Sequence, residues 1–274
     1  SQPEYVRRKR QEATQLIEQL TDAVAAHTSS LRLDAYTRQT FLDNVLRGGW
    51  PLLLGSEQKP SVYHIYSRKH GDLERDYNYF TVAAEPYSQG NANYRDVNQN
   101  RRNDVLFKPE VDAFNVLSFL SLIQADGYNP LLVEGSRFKV PAEHRASVLA
   151  LVDQPEKVES VLAEPFTPGK LLRAITDEKI GLKVSPEILV AEALSHAEQH
   201  FHATVGEGYW IDHWTYNLDL IDTYLAVYPD RKDHLLFDQP VVPFFDSSVI
   251  VQPRARKYVL TGDGLVRQYG AVAE

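Results

Sequence analysis

Apolar residues in this 274-residue chain recur at spacings of three and four along most of its length, and that period commits the chain chiefly to amphipathic helices packed on one another. Leu16, Ile17, Leu20 and Val24, joined by Ala13 and Ala23, mark one helical face near the start. A second helix is expected from Asp34, taken as its N-cap, through Tyr36, Phe41, Leu42, Val45 and Leu46, with Gly48 and Gly49 ending it. The pattern returns from Asp112 through Phe114, Leu117, Leu120 and Ile123, and stops at Gly127-Tyr128-Asn129-Pro130. Further helices are expected over 141–153, 168–176, 186–203 and 213–228. Residues 60 to 110 break the rule, with Tyr63, Tyr66, Tyr77, Tyr79, Phe80, Tyr87 and Tyr94 set among Asn, Asp, Arg and Gly without a long period. This stretch reads as a polar-aromatic loop region, and loops of that length in a compact domain usually carry function. From Asp230 to Pro253, several Pro and short Val-rich runs predict irregular chain or short strands. The expected fold class is mainly α, a helical toroid with its loops gathered at one end.

Composition removes several function classes. At 43% hydrophobic and 24% charged residues the chain is a folded protein. Its net charge of -8 repels nucleic-acid phosphate and anionic lipid, so neither is an expected partner. No stretch approaches the roughly twenty apolar residues of a membrane span, and the basic start lacks the apolar core of a secretory signal. Without Cys there is no disulfide framework, thiolate zinc site or Cys nucleophile, and the cytoplasm is the expected compartment. The absence of Met is expected of an internal segment or of a sequence written without its methionines.

Two stretches concentrate side chains able to do chemistry. Residues 94 to 104, YRDVNQNRRND, are almost wholly hydrogen-bonding, and the adjacent Arg95 and Asp96 offer a donor and an acceptor to the vicinal hydroxyls of a sugar. The competing reading is a solvated turn or structural ion-pair network. Residues 206 to 219, GEGYWIDHWTYNLD, place Asp212 among Tyr209, Trp210 and Trp214, a setting that raises a carboxyl pKa toward the value a general acid needs. Alternatively, Asp212 caps a helix whose apolar face is Trp214, Leu218, Ile221 and Leu225. His196 and His200 are expected to share a helix face, with His202 nearby. Without HExxH, and with Glu198 off that face, they are read as structural, and no metal is expected. Phosphate-loop, dinucleotide-binding and nucleophile-elbow motifs are absent.

At YSQGNANYRDVNQNRRND and GEGYWIDHWTYNLDLID, with SVYHIYSRKHGDLERDYNYF, the chain resembles the inverting glycoside phosphorylases related to cellobiose phosphorylase, glycoside hydrolase family 94 and its clan. Within the clan it is more similar to the β-1,3-glucan phosphorylases of families 149 and 161. The resemblance spans roughly residues 40 to 270. It implies that Arg95 and Asp96 hold the non-reducing-end glucose in subsite -1, with Gln99, Trp210 and Tyr94 beside it, and that Asp212 is the general acid. Asn100 stands where cellobiose phosphorylases tend to have Asp, and Tyr209 and Ile211 replace an Asp and an Asn, which points away from cellobiose as substrate. The basic residue that some relatives place just before the Arg-Asp pair is absent, Gln89, Gly90 and Asn91 standing there instead.

The fold so implied is part of an (α/α)6 barrel, with residues 1–48 as leading helices or a linker and 49–274 as an incomplete first portion of the catalytic barrel. The clan's phosphate-binding His and Thr-Gly would lie outside this chain, so the chain alone is expected to be inactive and poorly soluble. The expected reaction is phosphorolysis of a β-glucosidic bond, in a β-1,3-glucan or oligosaccharide, releasing α-glucose 1-phosphate. Inorganic phosphate is the co-substrate, Arg101 or Arg102 could supply charge for it, and no cofactor is needed. A homodimer is left open. Two rivals remain: an inverting hydrolase of the same fold with Asp212 as acid and Glu207 as base, and a non-catalytic carbohydrate-binding fragment.

Overall fold

In a computed structural model, residues 2–65, 82–204, 211–239, 245–268 and 272–273 are described. Helix dominates. The first helix, α1 (Gln2–Thr21), and the second, α2 (Leu31–Gly48), pack on each other, and α2 also packs on α3 (Tyr94–Arg101). Ser30 rather than Asp34 caps α2, its hydroxyl accepting from the Leu33 N–H, while Asp34 accepts from the Thr28 N–H and hydroxyl. Gly48 closes the helix and Gly49 follows at φ 91°, a conformation that a residue with a Cβ rarely adopts.

The hairpin β1 (Trp50–Gly55) and β2 (Pro60–Ile65) comes next, antiparallel from Trp50 opposite Ile65 to Gly55 opposite Pro60. The remaining elements in order are β3 (Ala92–Asn93), α4 (Asp104–Phe107), α5 (Phe114–Leu120), β4 (Leu132–Lys139), α6 (Arg145–Leu149), α7 (Pro155–Ala163), α8 (Pro168–Asp177), α9 (Pro186–His196), β5 (Glu198–Thr204) and α10 (His213–Val227). Beyond them, short ladders pair Ile250–Val251 with Val272–Ala273, and Tyr258–Leu260 with Val266–Gln268. Pro in the first turn of α7, α8 and α9 pre-sets the helical φ at no cost in hydrogen bonds, and Thr167 and Ser185 cap the last two.

Two apolar cores form, and strand β4 contributes to both, Phe138 to one and Val133 to the other. One gathers Tyr63, Phe138, Val148, Leu162, Phe166, Leu171, Leu189 and Leu194 beneath α6 to α9. The other gathers Tyr94, Val97, Val116, Phe119, Leu122, Val133, Leu220 and Tyr224 among α3, α5 and α10. Within β4, the register shifts between Val133 and Gly135, and Gly135 takes φ 100° at that bulge.

Several expectations need correction. The supposed loop from 60 to 110 contains β2, β3, α3 and α4, while its Tyr66, Tyr77, Tyr79 and Phe80 lie outside the described residues. The helix expected over 186–203 stops at His196, and its remainder is β5, recruited by seven cross-strand partners in β4. Over 141–153 only a 3-10 turn and the five-residue α6 form. Strand β4 and helix α7 were not foreseen. The stretches 168–176 and 213–228 form helices within a residue of expectation, and 112–123 forms one over Phe114–Leu120. Mainly α is the observed class.

Candidate active site

Helix α3 presents the Arg-Asp pair because its first turn is anchored on three sides. The Asn93 carboxamide oxygen accepts from the Arg95 N–H at 3.0 Å, and the Tyr94 N–H donates to the Leu131 carbonyl at 2.7 Å. The Tyr94 ring is fully buried, stacked on His213 at 4.5 Å between centroids and edge-on to Phe119 at 5.1 Å. Its hydroxyl donates to the Asn217 Oδ1 at 2.8 Å, and the Asn98 Nδ2 donates to the same oxygen at 2.7 Å. Burial raises the Tyr94 phenol above its ordinary range, so it remains a donor. Tyr94 therefore cannot serve as an exposed sugar contact in this arrangement: it is the bolt between α3 and α10.

Arg95 and Asp96 follow on the outer side of that bolt. The Arg95 Nε donates to the Asp96 Oδ1 at 3.2 Å, with the guanidinium half-exposed and the carboxylate nearly buried. Asp96, Gln99, Asn100, Arg102 and Asn103 line one side of an open depression of about 530 Å³, and Asp43 and Asn44 of α2 line the other. The Asn100 Nδ2 donates to the Asp96 carbonyl at 2.7 Å, which stiffens the same turn. Of the two guanidiniums considered for phosphate, Arg101 does not line this space. It is buried, its Nε donates to the Gly48 carbonyl at 3.2 Å, and its cation lies 5.6 Å from the Phe201 ring centroid. Arg102 does line it, paired with Asp219 of α10 at 2.5 Å.

Asp212 stands at the N-terminus of α10 but makes no side-chain cap. Its Oδ2 instead accepts from the Tyr216 hydroxyl, one turn on, at 3.1 Å, so the capping alternative is not what the structure displays. Burial works against the Arg95 charge, yet Asp96 beside it, with Tyr216 and Asp212 behind, holds that guanidinium above its usual range. The two stretches that stood out in the sequence thus share one electrostatic field. His213 senses both. Burial drives its pKa down to about 4, Asp212 and Asp96 opposing and Arg95 assisting, so the ring is neutral near pH 7. Its Nδ1 lies 2.7 Å from the Asn129 Oδ1, an atom that can only accept, which puts the proton on Nδ1 and the lone pair on Nε2.

Trp210, Tyr209 and Glu207 lie outside the described residues. Of the face expected to be apolar on α10, Ile221 and Leu225 pack against the core but Trp214 and Leu218 are 39% and 58% exposed, while His213, Asn217, Leu220 and Tyr224 are buried. His196 ends α9 and meets Glu192 at 3.2 Å, whereas His200 lies on β5, so the two share no helix face. Among the described residues no group of three or more His, Cys, Asp or Glu side chains could hold a metal.

Sequence reading missed the roles of Tyr216, Asn217, Asn98 and Asn129. Spacing alone held a clue, since Tyr216 and Asn217 sit four residues beyond Asp212 and His213. It also missed a second buried cluster behind α3, where the His64 Nε2 lies 2.8 Å from Asp104 Oδ2 and the Asn115 Nδ2 donates to that oxygen at 2.9 Å. No protein-family model matches the chain, nor does any curated protein or solved structure. No helix among the described residues is long and apolar enough to cross a membrane.

Proposed function

We propose that the chain carries the donor-sugar side of an inverting β-glucoside phosphorylase. The substrate in this reading is a β-1,3-linked glucan or oligosaccharide, the co-substrate is inorganic phosphate, and the product is α-glucose 1-phosphate. The observation that supports it is that Arg95 interacts electrostatically with both Asp96 beside it and Asp212 from a distant segment, Tyr94, Asn98 and Asn217 locking α3 to α10. The sequence resemblance supplies the identity of the reaction. Residues 49–274 would be the first portion of an (α/α)6 barrel, working in the cytoplasm without metal or organic cofactor.

In this reading the Arg95 guanidinium donates to, and the Asp96 carboxylate accepts from, adjacent hydroxyls of the terminal glucose, with Gln99 on the same wall. Asp212 delivers its proton to the glycosidic oxygen as the bond to the anomeric carbon breaks, and the bonding pair departs with that oxygen. A phosphate oxygen forms the new bond from the opposite face. Phosphate is itself the nucleophile, so one carboxyl suffices. Arg102, on the wall of the depression, lends positive charge for phosphate.

The test is incubation of the full-length protein with β-1,3-gluco-oligosaccharides, with and without phosphate. Glucose 1-phosphate formed only with phosphate is the expected result. Free glucose released at equal rates in both would establish a hydrolase instead, and binding without turnover in either would establish a carbohydrate-binding protein.

A further inference from the structure

The proposed acid is held by a contact that the proposed reaction does not require and that a helix start does not explain. A carboxylate opening a helix ordinarily accepts from the backbone N–H groups of its own first turn. Asp212 does not. It reaches along α10 to the Tyr216 hydroxyl at 3.1 Å, and among the described residues its Oδ1 has no hydrogen-bond partner. The two oxygens of one carboxyl are therefore inequivalent, one occupied by a donor and one open.

We infer that Tyr216 is the positioning residue for Asp212, its hydroxyl pinning Oδ2 and leaving Oδ1 as the oxygen from which the proton departs. This rests on the phosphorylase reading and deepens it. A protonated carboxyl with Oδ2 accepting from a phenol has its own O–H on Oδ1. When that proton passes to the glycosidic oxygen, the C–O bond to the sugar breaks, its electron pair stays with the leaving oxygen, and the carboxylate left behind keeps the phenol as donor. A hydrogen bond to an ionised acceptor is stronger than one to a neutral acceptor, so the contact tightens as the proton leaves and helps the step where charge develops.

The surroundings agree. Burial pushes the Tyr216 phenol up, and the hydrogen bond and charge of Asp212 push it further, so it stays a donor wherever the enzyme would work. From α3, Arg95 faces the carboxyl with positive charge, and Asp96 bears with negative charge on the Tyr216 hydroxyl. On α10 itself, His213 is neutral and turned to Asn129, and Asp219 is occupied by Arg102. The elements on the far end of α10 bring Asp104, Asp112 and Arg231, tied respectively to His64, Arg231 and Asp112. Tyr216 is thus the one neutral donor seen on Asp212 among the described residues.

Tyr216→Phe removes the hydroxyl and keeps the ring. Its expected effects are a fall in kcat of about ten- to a hundredfold, the scale of a hydrogen bond to a charged group, with KM little changed, and movement of the alkaline limb of the kcat profile to higher pH. The direction follows from the role: an acid works only while protonated, and a carboxylate stripped of a donor is the less stabilised form. A substrate with a good leaving group, which needs little protonation, should recover most of the rate. In parallel, the Asp212 carboxyl carbon is titrated by NMR in the variant and in the wild type without substrate. An upward shift supports the inference, and an unmoved Asp212 titration or an unmoved alkaline limb overturns it. A wild type that never makes glucose 1-phosphate overturns the phosphorylase reading and the catalytic half of this inference with it, while the NMR titration separately decides whether Tyr216 controls Asp212.

Discussion

Asn217→Leu is the perturbation that most directly tests how the two halves of the site are held together. The Asn217 Oδ1 receives both the Tyr94 hydroxyl and the Asn98 amide, and all three side chains are buried. Leucine keeps the same branched skeleton with somewhat bulkier ends, so the change strips hydrogen bonds without opening a cavity. The Asn98 amide would lose its partner and the Tyr94 hydroxyl would keep only the Phe119 carbonyl at 3.5 Å, at about 1–3 kcal/mol each. Part of this is offset, because among the described residues the Asn217 Nδ2 has no partner and its removal relieves an existing cost. The net loss is then about 2–4 kcal/mol, large against the 5–15 kcal/mol that holds a typical domain together. Thermal unfolding should start from a midpoint lower by roughly 5–15 °C, at about 2–4 °C per kcal/mol for a chain of this size. Adding Tyr94→Phe removes one of the stranded donors, so the double variant should be less destabilised than the sum of the single ones. A single variant within a degree of the wild type, or strict additivity in the double, would refute the claim that this bolt is energetically significant.

The remaining predictions concern titration, backbone and chemistry. His64 and His213 both have pKa values lowered by burial to about 4, against 6.5 unfolded, so the unfolded chain binds more protons between those values and stability falls as pH drops from 6.5 toward 4. The scale is about 3 kcal/mol per ring, and urea midpoints at pH 7 and 4.5 should show a drop that His213→Gln reduces. Gly135→Ala should cost about 1–3 kcal/mol, because φ is 100° there and a Cβ would collide with the Gln89 amide that brackets Ser136; circular dichroism melts measure it. Asp212→Asn should abolish turnover of an unactivated glucan while oligosaccharide binding by calorimetry survives, since size and polarity are kept and only the transferable proton is lost. Arg95→Ala and Asp96→Ala should impair every substrate that shares the terminal glucose, and a change confined to chain-length preference would place them elsewhere.

How far the fold could be read from the chain depended on what holds each element. Helices α8 and α9 announce themselves through Thr167 and Ser185 caps followed by Pro, all local features. Strand β5 could not be read this way, because Glu198–Thr204 has only a weak alternation and becomes a strand by pairing with β4. In the supposed loop, the same hydrogen-bonding residues that hid α3 from an apolar count are the ones it uses: Asn93 to start it, Asn98 to dock it, and Asn100 to brace the Asp96 turn.

Helix α10 carries that point to the site itself. An apolar count selects Trp214, Leu218, Ile221 and Leu225 as the inward face, and the structure keeps the last two against the core yet turns Trp214 and Leu218 outward and buries His213 and Asn217. Burying two polar side chains is favourable only where partners already wait, and α3 and the segment at Asn129 provide them as Tyr94, Asn98 and an amide for the imidazole. Such a contact fixes rotation about the helix axis more tightly than an apolar one, because hydrogen bonds are lost within a few tenths of an ångström whereas apolar packing tolerates sliding. Rotation of α10 decides where Asp212 points, one residue before His213. The two residues at its start therefore face different ways: the histidine turns into the interior and sets the angle, and the aspartate just before it is left toward Tyr216 and Arg95.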